Sequence, residues 1–311
     1  MRGWEIELEA ARPIVAEGLR LCLAGDESAG LARYRSVAFP QHFAHLPLGL
    51  HIDMLREGGR DEAADALTAI TLGGGGDLAW KAARAGVSDA DRAAEYARFF
   101  AAGLGNPHMV DRYLRALTRL GRTDDVAAIF DPARLLHTVK VDVGDAAQAL
   151  LDREAEGRES ERQSVYKMRM LRGLNRIPEF DALLAACRAE TAAYTARWAA
   201  SGHPLARLVP NDFEIRAWGL ISRGEGYNSR HQHPVGWATG VYYPIGLPEA
   251  IGGGSLCVGG WRDTAPAGWP TAKIRPEAGL LVLMPSYYVH WTEPLGAPGL
   301  RLSVAFDAVP A

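Results

Sequence analysis

The stretch His231-Gln232-His233-Pro234 lies in a part of the chain that consists almost entirely of short predicted strands and turns. Alternating or β-branched residues predict strands at Phe213 to Ser222, Ala238 to Pro244, Gly254 to Val258, Lys273 to Arg275, Gly279 to Met284 and Leu300 to Phe306. Glycine and proline clusters separate these strands, as turns require. Strands in such close succession predict a β-sandwich or a jelly-roll barrel.

The two histidines of this stretch have the spacing of a metal-binding pair. Residues i and i+2 of a strand point to the same face, so His231 and His233 can both direct an imidazole into the barrel. His290 follows the predicted strand Gly279 to Met284, which can deliver a third imidazole to the same end of the barrel. Imidazole suits iron, copper, nickel and zinc. The sequence therefore predicts a metal site formed by these three histidines, with open positions for other ligands.

Three segments of the chain resemble one known family. They are His231 to Pro244, Leu283 to His290 and Arg301 to Phe306, and they are similar to the 2-oxoglutarate and Fe(II)-dependent oxygenases of the prolyl-hydroxylase-like superfamily. The resemblance covers about residues 133 to 311. It implies a double-stranded β-helix, Fe(II) and 2-oxoglutarate as cofactors, and a dioxygenase that hydroxylates its substrate through a ferryl intermediate. By position, His231 and His290 match the two iron-binding histidines.

The resemblance also implies a binding site for the far carboxylate of 2-oxoglutarate. Arg301 matches the arginine that binds this carboxylate, and Tyr243 matches a tyrosine whose hydroxyl helps to hold it. Ser303 faces the same way as Arg301 and could donate a further hydrogen bond. A guanidinium binds a carboxylate through two parallel hydrogen bonds. The alternatives are a surface ion pair from Arg301 to Glu293 or Asp307, and a purely structural role for Tyr243.

His233 departs from the family pattern, because the family has Asp or Glu at this position. With three imidazole ligands, the protein would leave the full charge of the metal ion uncompensated. If His233 does not bind, the site keeps an extra position for water or halide. The same-face spacing of the pair favours three ligands.

Residues 1–132 differ from the strand-rich half in composition and in the spacing of their apolar residues. They are rich in Ala, Leu, Arg and Glu with apolar residues at helical spacing, which predicts an all-helical domain. Gly25 and Gly59, in similar turn sequences, are 34 positions apart, the period of the tetratricopeptide repeat. Gly121 lies out of this register, and a plain helical bundle is the alternative. We therefore expect an α+β protein with a tetratricopeptide-like (TPR-like) helical domain at 1–132 and a double-stranded β-helix (jelly-roll) oxygenase domain with supporting helices at 133–311.

Composition restricts the partners and the location of the chain. A formal net charge of -3 and an apolar fraction of 48% give no electrostatic footprint for nucleic acid. No apolar run is long enough for a membrane helix, so we expect no membrane partner. Cys22, Cys187 and Cys257 are far apart and without a CxxC motif, which is typical of a reducing compartment. The expected location is the cytoplasm.

The predicted function is that of a 2-oxoglutarate- and Fe(II)-dependent dioxygenase. Helical repeats often present a concave surface to an extended segment, so a peptide or protein side chain is the favoured substrate and a small molecule the alternative. Two other functions remain open at this point. One is a three-histidine, cupin-like metal enzyme that does not use 2-oxoglutarate, and the other is a non-enzymatic helical-repeat binding protein with a degenerate barrel.

Overall fold

The computed structural model of the chain describes residues 3–37, 46, 48–73, 88–101, 103, 105–159, 165–233, 236–260 and 269–310. The chain divides into two compact units, Met1–Tyr113 and Leu114–Ala311. In the described residues the first unit is helical, and the second combines helices with antiparallel sheets. The predicted mixture of helix and sheet is therefore confirmed. The boundary expected after residue 132 lies inside the second unit and stays a prediction.

The described helices are, in chain order, α1 (Gly3–Leu23), α2 (Glu27–Arg35), α3 (Leu48–Glu57), α4 (Asp61–Gly73), α5 (Asp89–Ala101), α6 (Pro107–Arg119), α7 (Thr123–Ile129), α8 (Pro132–Leu135), α9 (Ala146–Asp152) and α10 (Asp181–Ala199). Short 3-10 turns lie at Glu154–Glu156, Leu174–Arg176, Pro178–Phe180 and Ala206–Leu208. None of the helices in the described part of the chain is long and apolar enough to cross a membrane.

Helices α1 to α4 form two consecutive helical hairpins in the first unit. Gly25 and Gly59 occupy the turns after α1 and α3 with φ of +98° and +69°, a conformation that glycine adopts without steric cost. Asp26 begins α2 by accepting a hydrogen bond from the Ala29 backbone N–H at 3.1 Å. The four helices share one apolar core, which includes Leu55 and Leu67.

The described strands are β1 (His137–Lys140), β2 (Arg158–Glu159), β3 (Val165–Arg172), β4 (Phe213–Asn228), β5 (Ala238–Tyr243), β6 (Leu256–Gly259), β7 (Thr271–Ile274), β8 (Leu280–Pro285), β9 (His290–Thr292) and β10 (Leu300–Pro310). They form a seven-stranded sheet in the order β1-β8-β5-β10-β4-β3-β2 and a three-stranded sheet in the order β7-β6-β9. Every pairing is antiparallel. Two such sheets are compatible with the expected jelly roll.

Strands β4 and β10 form the centre of the larger sheet. They pair along eleven residues, from Leu300 opposite Arg223 to Pro310 opposite Phe213. Strand β4 runs six residues beyond its predicted end at Ser222, because β3 pairs with it as far as Asn228. Helix α10 packs against β4, β5 and β8 and buries Cys187, Tyr194 and Trp198. Helix α10 thus covers part of the larger sheet, and residues of β3, β4, β5 and β10 line a cavity together with residues of β6 and β9 in the smaller sheet.

Candidate metal centre

His231 and His290 belong to neighbouring segments that are bridged to each other. The backbone N–H of His231 donates to the carbonyl of His290 at 3.0 Å, and the N–H of His290 donates back at 2.9 Å. His233 is attached to a third segment, because its N–H donates to the Ser286 carbonyl at 3.1 Å. His231 and His233 lie in the loop after β4 rather than inside a strand. Their segment has only one bridge to β9, from His231 to His290, because β9 is short and begins at His290.

The three predicted histidines come together at one point of the second unit. Their ring centroids are 4.3 Å apart for His231 and His290, 4.9 Å for His233 and His290, and 5.2 Å for His231 and His233. One nitrogen from each ring lies within 4.8 Å of the other two, close enough to hold a single metal ion. Among the described residues, this is the one group of three or more His, Cys, Asp or Glu side chains with that property.

Each imidazole uses its Nδ1 atom in a hydrogen bond to an oxygen. His231 Nδ1 lies 2.7 Å from the Ser229 carbonyl, His290 Nδ1 lies 3.1 Å from the Tyr288 carbonyl, and His233 Nδ1 lies 2.5 Å from Asp307 Oδ1. Carbonyl and carboxylate oxygens accept hydrogen bonds, so Nδ1 carries the proton in all three rings. The lone pair of each Nε2 atom is then free, and this is how a metal-binding histidine is usually oriented.

Asp307 is a functional candidate that the sequence interpretation assigned only as a possible partner of Arg301. Asp307 is 6% exposed, and its Oδ1 also accepts a hydrogen bond from Thr239 Oγ1 at 3.0 Å. Because the single hydroxyl proton of Thr239 is donated to Asp307, the Ser286 hydroxyl is the donor in its 2.9 Å hydrogen bond with Thr239. A signal was present in the sequence, because Asp307 has the same strand parity as Arg301 and Ser303.

Burial keeps two of the imidazoles in the neutral form. It lowers the pKa of His231 to about 4, with the neighbouring His233 as a further cause. The pKa of His290 lies well below its usual range, first through burial and then through the other two rings. Neutral imidazole is the form that binds metals, so these two histidines are ready for coordination at neutral pH.

Arg301 is a buried cation whose hydrogen-bond partners are all uncharged. It is 2% exposed, and Nη1 donates to the carbonyls of Gly254 at 3.1 Å and Glu293 at 2.9 Å, while Nη2 donates to Thr292 Oγ1 at 3.0 Å. Within the described residues, no carboxylate lies in ion-pair range of the guanidinium. The alternative of a salt bridge to Glu293 or Asp307 is therefore wrong: the first uses its backbone oxygen and the second binds His233.

Tyr243 and Ser303 line the same cavity as Arg301 and the three histidines. Tyr243 is 1% exposed, and its hydroxyl has no hydrogen-bond partner among the described residues. Burial raises the pKa of Tyr243 to about 12, so this hydroxyl keeps its proton and can donate. A buried donor without a partner costs about 1–3 kcal/mol. The pocket thus presents an unmatched cation and an unmatched hydroxyl beside the histidines, a donor set that fits a carboxylate.

A cleft of about 210 Å³ connects the histidines with the surface. His231 and His233 line this cleft together with the apolar residues Met170, Trp218 and Leu220. The indole ring of Trp218 lies 5.5 Å from the ring of His233. A ligand that enters here would meet a mainly apolar wall before it reaches the imidazoles.

Comparison with known proteins gives one sequence match and several similar structures. Residues 216–307 match the profile of a family described as "Putative 2OG-Fe(II) oxygenase". A prolyl-4-hydroxylase from Pseudomonas putida is 17% identical over 60% of this chain and 98% of its own, with a TM-score of 0.45. A prolyl hydroxylase from Trichoplax adhaerens, solved with a hypoxia inducible factor peptide fragment, is 14% identical over 62% of this chain and 91% of its own, with a TM-score of 0.42.

A third similar structure is HygX from Streptomyces hygroscopicus, solved with nickel, 2-oxoglutarate and hygromycin B. It is 13% identical over 58% of this chain and 85% of its own, with a TM-score of 0.35. Among curated protein sequences, none matches the chain. The matched segment 216–307 contains the whole histidine cluster together with Tyr243, Arg301 and Ser303. Residues 216–307 are therefore similar to 2OG-Fe(II) oxygenases, and this match together with the three-histidine group indicates a dioxygenase that uses Fe(II) and 2-oxoglutarate.

Proposed function

We propose that His231, His233 and His290 hold the Fe(II) of this oxygenase, with His233 in the place of the usual carboxylate. The observation that carries the proposal is the common orientation of the rings, since each Nδ1 is engaged by an oxygen and each Nε2 is left for the metal. When bound, Fe(II) and 2-oxoglutarate supply the oxidising power for hydroxylation by O₂. The protein itself orients all three imidazoles, and burial keeps His231 and His290 neutral.

The far carboxylate of 2-oxoglutarate is assigned to Arg301, with hydrogen bonds from Tyr243 and Ser303. The proposal is supported by the burial of the Arg301 charge without a carboxylate partner in the described chain, and by the buried hydroxyl of Tyr243. A carboxylate placed there would compensate the charge of the guanidinium and also accept a hydrogen bond from the Tyr243 hydroxyl. This assignment distinguishes the oxygenase from a cupin-like enzyme that does not use 2-oxoglutarate.

The favoured substrate is a side chain of a peptide or protein. The cleft that leads to the histidines has a volume of about 210 Å³. Pockets that enclose a drug-sized molecule usually measure about 300–1,000 Å³. A cleft of this size suits one inserted side chain whose backbone stays outside, and Met170, Trp218 and Leu220 give it an apolar wall.

The helical unit is assigned to the TPR-like class, and the protein to the cytoplasm. The first assignment is supported by the two helical hairpins, whose turn glycines Gly25 and Gly59 share a positive φ and a 34-residue offset. Helical repeats bind extended polypeptides, in keeping with a peptide substrate. The location is supported by Cys22, Cys187 and Cys257, which are all buried free thiols.

Succinate formation from 2-oxoglutarate under air, with Fe(II) and candidate peptides, tests the proposal. We expect turnover that requires both cofactors and is abolished in His231→Ala and His290→Ala. Arg301→Ala should raise the KM for 2-oxoglutarate roughly 30- to 150-fold, since it removes a charge-assisted contact of about 2–3 kcal/mol. Metal binding should be retained in this variant. Activity that is indifferent to 2-oxoglutarate would instead support the cupin-like alternative.

A further inference from the structure

A surface groove adjoins the cleft of the metal centre. It has a volume of about 980 Å³ and lies where the end of β3, the start of β4 and helix α10 meet. Arg172 lines both the cleft and the groove. This residue is paired with Trp218 across β3 and β4, and Trp218 in turn lies against the ring of His233. The near end of the groove is therefore only one side chain away from the histidine cluster.

The charges along the groove are not balanced. Its charged lining residues are Arg172, Arg176, Arg188, Arg216, Glu156 and Glu214. Arg188 contacts Asp212 at 2.9 Å, Arg216 contacts Glu214 at 3.7 Å, and Glu156 contacts Arg153 at 3.2 Å. Arg172 and Arg176 have no carboxylate within 4.0 Å among the described residues, and both are exposed. The guanidinium groups of Arg172 and Arg176 thus remain available to a ligand in the groove, and both acids of the groove are already paired.

The groove has apolar lining residues, and two backbone groups of β4 beside them are already bonded. Leu171, Leu184 and Ile215 are buried beneath the arginines. The Asn175 side chain donates to the Ile215 carbonyl at 2.6 Å and accepts from the Ala217 N–H at 3.0 Å. Asn175 thus occupies two backbone groups that strand addition to this part of β4 would need, which favours recognition of a ligand through its side chains.

We propose that this groove binds the polypeptide segment that flanks the hydroxylated residue, and that this segment is acidic. Carboxylates of the segment pair with Arg172 and Arg176, its apolar side chains rest on the apolar lining residues, and the target side chain enters the cleft beside Trp218. The proposal rests on the proposed function, because it takes the histidine cluster as the place of reaction. It adds the chemical class of the substrate, a peptide with Asp or Glu on one side of the target residue.

Fluorescence anisotropy on the full chain loaded with Co(II) tests the groove. The probes are fluorescein-labelled peptides of one Gly/Ser host sequence that carry either several Glu, the same number of Gln, or the same number of Lys. We expect the Glu peptide to bind most tightly, with a preference that declines as salt is raised. The double variant Arg172→Glu/Arg176→Glu should weaken its binding about three- to tenfold or more, since each exposed contact contributes a few-fold. Arg35→Glu, an exposed arginine of α2, is the matched control and should bind the peptide like the wild type.

Equal binding of the Glu and Gln peptides, or an unchanged affinity in the double variant, would overturn the proposal. Tighter binding of a single-stranded oligonucleotide of equal charge would overturn the assignment to a peptide. Succinate release without a peptide is measured on the same preparations, to distinguish a failure of the groove assignment from a failure of the proposed function. If the wild type binds the Glu peptide but neither binds Co(II) nor converts 2-oxoglutarate, the proposed function fails. If turnover is normal and the peptides do not differ, only the groove assignment fails.

Discussion

Replacement of Asp307 by asparagine separates the charge of this side chain from its shape. Asp307 lies 2.5 Å from His233 Nδ1 and is held in place by Thr239. Asparagine is nearly isosteric and can still accept the Nδ1 proton, so the ring keeps its position while the charge-assisted bond becomes a neutral one. A hydrogen bond to a charged group contributes about 1.5–3 kcal/mol and a neutral one about 1 kcal/mol. The difference is about 0.5–2 kcal/mol.

This difference predicts a roughly 2- to 30-fold loss of metal affinity in Asp307→Asn, because only a well-oriented, electron-rich imidazole binds the ion tightly. Calorimetric titration of the apoprotein with Co(II), and with Fe(II) under anaerobic conditions, measures the loss directly. The visible absorption of bound Co(II) should change as well, since the His233 ligand becomes a weaker donor. Asp111→Asn is a suitable control, because Asp111 is also buried but belongs to the first unit.

An unchanged Co(II) affinity and spectrum in a folded Asp307→Asn protein would refute the assignment of His233 as a ligand supported by Asp307. The same result with an intact requirement for His231 and His290 would indicate a two-histidine metal centre. A lower melting temperature alone would not support the reasoning, since a buried polar network also contributes to stability.

Three further predictions concern other parts of the second unit. Tyr243→Phe removes a buried hydroxyl that has no partner among the described residues, so we expect the free energy of unfolding of the ligand-free protein to rise by about 1 kcal/mol in chemical denaturation. The KM for 2-oxoglutarate should rise as well, and a loss of stability would contradict this prediction. The protein without metal should lose stability as the pH falls from about 6.5 towards 4, by roughly 1.4 kcal/mol per pH unit for each neutral buried histidine. The pKa values of His231 and His290 are lowered in the folded protein, so the unfolded state takes up protons first as the pH falls and becomes favoured. In urea titrations at several pH values, His231→Gln should therefore reduce the slope of the unfolding free energy against pH. Gly240→Val should destabilise the fold by about 1–3 kcal/mol or more, because a Cβ atom there would lie 2.0 Å from the Phe306 ring, whereas Gly252→Ala has open space and should be neutral in the same urea measurement.

Local pattern was sufficient to predict most of the sheet. The strands predicted from residue 213 onward correspond to β4, β5, β6, β7, β8 and β10, since alternation and β-branched content are properties of single segments. Strand β3 was not predicted, because Lys167-Met168-Arg169-Met170 alternates over only four residues, and Met, Lys and Arg are also good helix formers. Strand β9 is three residues long, which is too short for periodicity to detect.

The predicted site residues assemble around one cavity, whereas their supporting contacts depend on register. His233 and Asp307 are 74 residues apart, and they meet only because β10 pairs with β5 and places Asp307 opposite Thr239. The partners of Arg301 are two backbone carbonyls and a threonine hydroxyl. Every residue has a backbone carbonyl, so the residue types in the sequence do not indicate which ones will accept a hydrogen bond from Arg301. Motif spacing thus predicts which side chains gather, and sheet pairing determines what orients them.

The absence of a carboxylate among the three histidines has an energetic consequence for the order of loading. On the proposed assignment, a divalent ion and the Arg301 guanidinium stand in one buried cavity, where like charges interact strongly. The ion and the arginine therefore oppose each other until a dianionic co-substrate enters between them. By reciprocity, 2-oxoglutarate strengthens metal binding by the same factor by which the metal strengthens 2-oxoglutarate binding. Such an enzyme retains its iron best when its co-substrate is abundant, so cellular 2-oxoglutarate would control how much of the protein is loaded with metal.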